Sequence, residues 1–98
     1  MAEGNWNNSR NVVLSAPFSE YISDCNDLKS AGVFKGNSSS LIHTQNLPDT
    51  GYYAILVIVY TEGLDLAQMA YEINTAKIYC RAYHDGSTWT EWKRLDNV

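Results

Sequence analysis

Residues that could carry out acid-base or nucleophilic chemistry are few and scattered in this 98-residue chain. The two histidines, His43 and His84, lie in different segments, and neither belongs to a known nucleophile or metal motif. His84 precedes Asp85, but an Asp-Gly pair is typical of a turn, and an exposed histidine beside it needs no catalytic role. Glycosidase chemistry would need distant carboxylates such as Glu72 and Glu91 to meet. We therefore expect no enzymatic activity.

The two cysteines do not indicate a metal site. Cys25 and Cys80 are far apart and lack both the Cys-x-x-Cys spacing and the histidine partners of a zinc centre. Two buried free thiols are the favoured interpretation, because unpaired cysteine is among the most buried residue types. A disulfide between them is the alternative. We expect neither a metal nor a cofactor.

Aromatic and amide side chains offer a different chemistry, the recognition of sugars. The chain has seven Tyr and three Trp. Carbohydrate sites stack the C–H-rich face of a sugar on an aromatic ring and add hydrogen bonds from polar groups. The sequence predicts such ligand-binding positions at Asn46, Asp49, Tyr52, Tyr79 and Tyr83. For Tyr79 and Tyr83 the alternative is cross-strand packing, within a subunit or at a seam between subunits.

The end of the chain holds residues that we expect to be structural. Trp89 and Trp92 follow an Asp-Gly turn, and each indole can bury about 150–250 Å². Positions three apart on an extended strand face opposite sides of a sheet, so one Trp should be buried and the other should meet a neighbouring subunit, a ligand or Arg81. Arg81 is expected to stack on an indole or to pair with Glu91.

Composition limits the partners of the protein. The length fits a single domain, and charged residues make up only 18%, against about 25% in an average domain. The net charge of −4 provides no basic stripe for nucleic acid. No apolar segment has the form of a signal peptide or the length of a membrane span. Many tyrosines and few charges favour self-association.

The elements that must position these residues are mainly β-strands. We divide the chain into an arm, residues 1–23, and a domain, residues 24–98. The arm contains an apolar patch at 12–14, read as a short strand, and Pro17, which stops a helix. Residues 23–32 carry N-cap side chains and end in Gly, the signature of one short helix. The polar stretch 36–51 is a long loop with a short strand near 41–43.

The remaining segments predict strands joined by short turns. They begin at Val33 and continue over 53–60, 66–73, 77–84 and 88–95, with the turn Asp85-Gly86 before the last. Segment 53–60 is apolar on both faces and should be central. Segment 66–73 alternates as a strand does, with a helix as the alternative because its residues are good helix formers. On 77–84, Tyr79, Arg81 and Tyr83 share one face, and Tyr71 is expected to extend this row across the neighbouring strand. The fold class is a small antiparallel β-meander with one short helix near its N-terminal side.

An ordered set of landmarks in this pattern resembles the pyocin-knob domains of contractile-tail bacteriocin fibres and bacteriophage tail fibres. The landmarks cover roughly residues 26–95 and are Asp27-Leu28, Gly32-Val33-Phe34, Asn46-Leu47-Pro48, Gly51-Tyr52, Gln68, Ile78-Tyr79-Cys80-Arg81 and Trp89-x-x-Trp92-x-x-Leu95. The resemblance implies an antiparallel β knob, usually trimeric, that helps a fibre recognise bacterial surface polysaccharide. Family members commonly end long fibres, whereas about two dozen residues precede the knob here. The chain is therefore either an excised fragment or a short protein in which residues 3–18 form a docking arm.

Three functional classes follow. The preferred one is a non-catalytic receptor-binding knob of a virion tail, acting in host adhesion as a homotrimer that binds bacterial cell-surface polysaccharide. The second is a structural tip or interaction module that joins copies of itself or other virion proteins and does not contact a host receptor. The third is an unrelated small β-protein, which a helix over residues 64–73 would favour.

Overall fold

The computed structural model describes residues 21–96, which form one antiparallel sheet of six strands. Neighbouring strands pair in the order β1 to β5, and β6 also pairs with β4. The predicted antiparallel β-meander is confirmed, and residues 65–72 form a strand rather than a helix. The bounds are β1 Gly32–Asn37, β2 Tyr52–Thr61, β3 Asp65–Glu72, β4 Ile78–His84, β5 Thr88–Trp89 and β6 Lys93–Arg94.

Helical structure is shorter than the sequence predicted. A single 3-10 turn, Cys25–Asp27, replaces the expected short helix, and residues 21–96 contain no α-helix. The side chain of Asp24 accepts a hydrogen bond of 2.8 Å from the Asn26 N–H, which caps this turn. The strand predicted near 41–43 is also wrong. The His43 N–H donates to the Ser39 carbonyl at 2.7 Å, so this segment is a turn.

The described part of the predicted arm is joined to the edge of the sheet. Tyr21 forms an isolated parallel bridge with Lys35, and the Ile22 N–H donates to the Lys35 carbonyl at 2.9 Å. Ile22 also packs against the hydrophobic core. The short strand predicted at 12–14, Pro17 and the docking arm predicted over 3–18 lie outside the described residues.

The hydrophobic core lies on one face of the sheet, between the strands and the segments 21–31 and 38–51. Alternate strand residues point to this face because the side-chain period of a strand is two. The 3-10 turn adds Cys25, and the residue after the turn, Leu28, completes the cluster. The strand residues of the core are Tyr53, Ile55, Val57, Leu66, Ala70, Tyr79 and Tyr83.

The opposite face of the sheet, which we call the open face, is apolar and uncovered by the described residues. The predicted central strand, β2, pairs with β1 and β3, but it is covered on one face only, because Leu56 and Ile58 point to the open face and are 38% and 50% exposed. Hairpin connections carry no helix that could cover the second face, unlike the crossovers of a parallel sheet. By register, the open face consists of Val33, Lys35, Tyr52, Ala54, Leu56, Ile58, Ala67, Met69, Tyr71, Ile78, Cys80 and Ala82.

Two further predictions change because of this division into faces. Tyr71 pairs with Ile78 on the open face, so it does not extend a row with Tyr79 and Tyr83, which point into the core. Both cysteines are free, as the favoured interpretation expected. Cys25 is buried in the core, and burial raises the pKa of its thiol to about 12. Cys80 is only half-buried, because it lies on the open face opposite Met69.

Candidate functional site

Arg81 lies between the rings of Trp89 and Trp92 on the core face, in an arrangement that we call the Trp–Arg–Trp stack. The guanidinium carbon is 3.8 Å from the centre of the Trp89 ring and 4.6 Å from that of Trp92. Arg81 is 7% exposed, and burial lowers the pKa of its guanidinium. Cation–π contacts are worth about 2 kcal/mol or more when desolvated, so the indoles offset part of the cost of burying this charge.

A bulge in the last segment brings both tryptophans to the same face. Tyr83 pairs with Trp89, whereas Cys80 pairs with Lys93, so three steps along β4 correspond to four steps along its partner. Compared with a regular strand, the extra residue reverses the side of the sheet toward which each later side chain points. The single strand predicted over 88–95 is therefore two short strands, and the expectation that the tryptophans face opposite sides is wrong.

Thr90 keeps the edge of β4 hydrogen-bonded at the bulge. Its N–H donates to the Ala82 carbonyl at 2.8 Å, and its hydroxyl accepts from the Ala82 N–H at 2.9 Å. The hydroxyl thus replaces a backbone carbonyl that the bulge has turned away. Buried strand edges must be satisfied in this manner, because an unmade backbone hydrogen bond is costly.

Gln68 connects the Trp–Arg–Trp stack to the 3-10 turn. Its carbonyl accepts from the Arg81 Nε at 3.0 Å, and its Nε2 donates to the carbonyls of Cys25 and Leu28 at 2.7 and 3.0 Å. Gln68 has no exposed surface, so these bonds replace water in a dry environment. The sequence predicted that Arg81 would either stack on an indole or pair with Glu91. The stacking is confirmed, and the polar partner of Arg81 is Gln68.

Tyr79 and Tyr83, two of the predicted ligand-binding residues, are packed inside the subunit. The ring of Tyr79 lies 6.1 Å from that of Tyr53. The ring of Tyr83 lies 4.7 Å from that of Trp89, and Lys29 Nζ is 4.6 Å from its centre. Both tyrosines are buried, so neither presents a ring face on which a sugar could stack.

Asn46 and Asp49 are exposed on the loop that covers the core. The Asn46 Nδ2 donates to Asp24 Oδ1 at 2.8 Å, and the Asn46 carbonyl accepts from the Trp92 indole N–H at 3.0 Å. Asp49 Oδ1 accepts from the Thr50 N–H at 2.8 Å. Tyr52 lies on the other face of the sheet. The structure therefore does not bring the five predicted ligand-binding residues together.

The most suitable binding site is a cleft at the end of the open face, which we call the tyrosine cleft. Tyr21 and Tyr52 are 42% and 51% exposed and lie on its walls. Ala54 pairs with Lys35 across β1 and β2, and its small side chain leaves a depression there. The residues that line the cleft are Tyr21, Lys35, Gly36, Tyr52, Tyr53, Ala54, Ile73 and Asn74.

Glu72 fixes the position of Tyr52 in this cleft. Its Oε2 accepts from the Tyr52 N–H at 2.9 Å, and its Oε1 accepts from the N–H and hydroxyl of Thr75 at 2.7 and 2.8 Å. These hydrogen bonds, the one from Tyr52 first, lower the pKa of the Glu72 carboxyl. Gly51 permits the contact, because a Cβ there would lie 2.5 Å from Glu72 Oε2. The predicted landmark Gly51-Tyr52 therefore has a structural explanation.

Lys35 is the charged side chain of the tyrosine cleft. Its Nζ is 4.5 Å from the centre of the Tyr21 ring, and no carboxylate within residues 21–96 forms an ion pair with it. Of the residues in the cleft, only Tyr52 was predicted from the sequence. Tyr21, Lys35 and Asn74 were missed because no local pattern marks them. Only the register of β1 against β2 brings Lys35 next to Ala54.

Other groups that could carry chemistry are not assembled into a catalytic or metal centre in the described range. His43 lies in a turn and His84 ends β4, and both are exposed. The Glu72 carboxylate accepts hydrogen bonds from Tyr52 and Thr75, and Glu91 is exposed in the bulge. Residues 21–96 hold no group of three His, Cys, Asp or Glu suited to a metal ion. The same part of the chain contains no helix able to cross a bilayer.

Most of the residues that gave the resemblance to pyocin-knob domains build the fold, and Tyr52 is the one among them that lines the tyrosine cleft. Leu28, Gln68, Arg81 and both tryptophans all belong to the core or to the Trp–Arg–Trp stack. Comparison of this chain with protein-family models, with curated proteins and with solved structures found no match.

Proposed function

We propose that this protein is a non-catalytic receptor-binding knob of a phage or phage-derived tail, and that it recognises carbohydrate on the bacterial surface. The observation that carries the proposal is the tyrosine cleft, where two exposed tyrosine rings flank an amine and an amide. The resemblance of the ordered landmarks to pyocin-knob domains supports the tail-fibre context.

The chemistry of the cleft suits a sugar. The rings of Tyr21 and Tyr52, together with Ile73, offer apolar surface to the C–H groups of a pyranose. Lys35 and Asn74 offer hydrogen-bond donors, and the Asn74 amide also accepts from hydroxyl groups. The cleft is open and shallow, which fits binding to part of a long chain. Such a site binds weakly by itself, and association of several copies would raise avidity by roughly 10²–10⁴.

Binding to bacterial cells tests this proposal. Labelled protein should adsorb to some strains and not to others, and Tyr52→Ala should reduce adsorption at least tenfold because it removes one wall of the cleft. Tyr60→Ala is the matched control, since Tyr60 is 90% exposed at the β2–β3 turn and lies outside the cleft. Retained adsorption by Tyr52→Ala, with an unchanged melting temperature, would exclude the cleft as the receptor site.

The open face favours a second candidate function, that of a structural tip or interaction module. Leu56, Ile58, Met69 and Tyr71 present an apolar surface that no described residue covers. We infer that this surface packs against another copy of the chain, and the resemblance implies a trimer. A protein that self-associates but adsorbs to no bacterial strain would favour this function over receptor binding.

A further inference from the structure

We propose that the saccharide bound in the tyrosine cleft is anionic, with a carboxylate or phosphate group placed at Lys35. This inference rests on the proposed function and specifies its ligand class. In this arrangement the Lys35 ammonium pairs with the acidic substituent, and the ring of Tyr52 packs against the apolar face of the same sugar.

The charge of the cleft is the first argument. Eight residues line it, and Lys35 is the charged one among them. The chain has a net charge of −4, yet no carboxylate within residues 21–96 lines the cleft. A positively charged site on an acidic protein attracts an anionic ligand.

The state of Lys35 is the second argument. Its Nζ lies 4.5 Å from the centre of the Tyr21 ring, which holds the ammonium in place without neutralising it. Lys35 is half-buried, so it has lost part of its hydration. Within the described range, the ion pair present is Arg94–Asp96, on a different edge of the sheet. An anionic ligand would supply the counter-charge that residues 21–96 do not supply here.

The spacing of the cleft is the third argument. Lys35 pairs with Ala54, and Tyr52 lies two residues before Ala54 on the same face of β2. Two residues along a strand span about 7 Å, which is comparable to a pyranose ring with an acidic substituent. Ala54 leaves room above the strand between them. A sugar stacked on Tyr52 can therefore direct its acidic group to Lys35 and its hydroxyls to Asn74.

Calorimetric titration with defined saccharides tests the inference. The probes are tetragalacturonate, a carboxylated saccharide, mannose 6-phosphate, a phosphorylated one, and neutral maltotetraose. We expect one or both anionic probes to bind at least tenfold more tightly than maltotetraose. The difference should shrink as salt is raised, because partly exposed charge interactions are screened. Which anionic probe binds distinguishes a carboxylate from a phosphate ligand.

Four variants separate charge from shape. Lys35→Met should abolish the preference for anionic probes, and Lys35→Arg should retain it. Lys93→Met is the matched control, since Lys93 is an exposed lysine that pairs with Cys80 and lies outside the cleft. Tyr52→Ala should weaken binding of every saccharide.

The outcomes distinguish this inference from the proposed function. Equal binding of neutral and anionic probes, or a preference that survives Lys35→Met, would overturn the anionic assignment while the carbohydrate function stands. The absence of binding by either anionic probe at millimolar concentration would also overturn it. Failure of the carbohydrate function itself is judged separately, by adsorption to cells that is insensitive to Tyr52→Ala.

Discussion

Individual residues in this protein divide between those that hold the core together and those that face a ligand. The sequence predicted a structural role for Arg81, whereas Gln68 was only a landmark of the resemblance. In the structure they bond to each other at 3.0 Å and are buried. Burial therefore assigns both to stability. The half-buried Lys35 and the exposed Tyr52 retain free surface and are the better candidates for recognition.

At the residue scale, we expect Arg81→Lys to destabilise the protein by about 2 kcal/mol. Lysine lacks the planar guanidinium that stacks between two indoles, and its amine cannot reproduce the Nε–H geometry toward Gln68. Urea unfolding followed by tryptophan fluorescence would measure the change. Arg94→Lys is the matched control and should leave the stability close to that of the wild type, because Arg94 pairs with Asp96 at the surface. Equal losses in the two variants would show that the stack adds no specific stability.

At the scale of elements, the bulge between β5 and β6 decides where the last aromatic residue points. If residues 89–93 paired with β4 as a regular strand, Trp92 would lie opposite Cys80 and point to the open face, away from Arg81. The bulge also allows the Trp92 N–H to reach the Asn46 carbonyl at 3.0 Å, which joins the end of the chain to the long loop. One inserted residue thus connects three separate segments of the sequence.

Deletion of Glu91 tests this role of the bulge. The deletion leaves Trp92 two residues after Trp89, and residues two apart on a regular strand share a face. We therefore expect the last segment to pair with β4 without a bulge, both indoles to stay beside Arg81, and the near-ultraviolet circular dichroism signal of the tryptophans to be retained. Glu91→Ala keeps the bulge and should give the same signal. Loss of the tryptophan signal in the deletion variant alone would contradict the assignment of one extra residue.

At the scale of the whole molecule, a single sheet with one covered face leaves apolar surface to be buried. Within residues 21–96, Leu56, Ile58, Met69 and Tyr71 of this face are between 36% and 50% exposed, and a contiguous apolar surface of this kind marks an interaction site. Small domains bury a limited share of their surface by folding alone. Association of copies through the open face would provide the missing burial.

Leu56→Asp should therefore prevent self-association, because it places a charge in the middle of the open face. We expect wild-type protein to associate at about 100 µM in light scattering and the variant to be monomeric, with Cys80 reacting faster with a thiol reagent once the face is uncovered. Leu41→Asp is the matched control, since Leu41 is 95% exposed in the long loop. Monomeric wild-type protein, or an associated Leu56→Asp variant, would show that the open face is not a copy-to-copy interface.

The sequence by itself was sufficient to predict the strands, the alternation of their side chains between two faces, and the packing of the last segment into the fold. Period-two patterns on 66–73 and 77–84 identified which residues share a face, and the Asp85-Gly86 turn located a hairpin, because these signals are local. Local patterns could not show that β2 is covered on one face only. The sequence pattern of an apolar strand is the same whether its second face packs against another layer of protein or remains uncovered.

Only the tertiary structure decided the facing of the two tryptophans and the composition of the tyrosine cleft. A bulge is a relation between two strands, and the count of residues in one strand does not reveal it. The cleft likewise joins Tyr21, Lys35, Tyr52 and Asn74, which are distant in sequence and meet through strand register. Pairing across strands is a long-range property, so residues that carry no local signal became the best candidates for function.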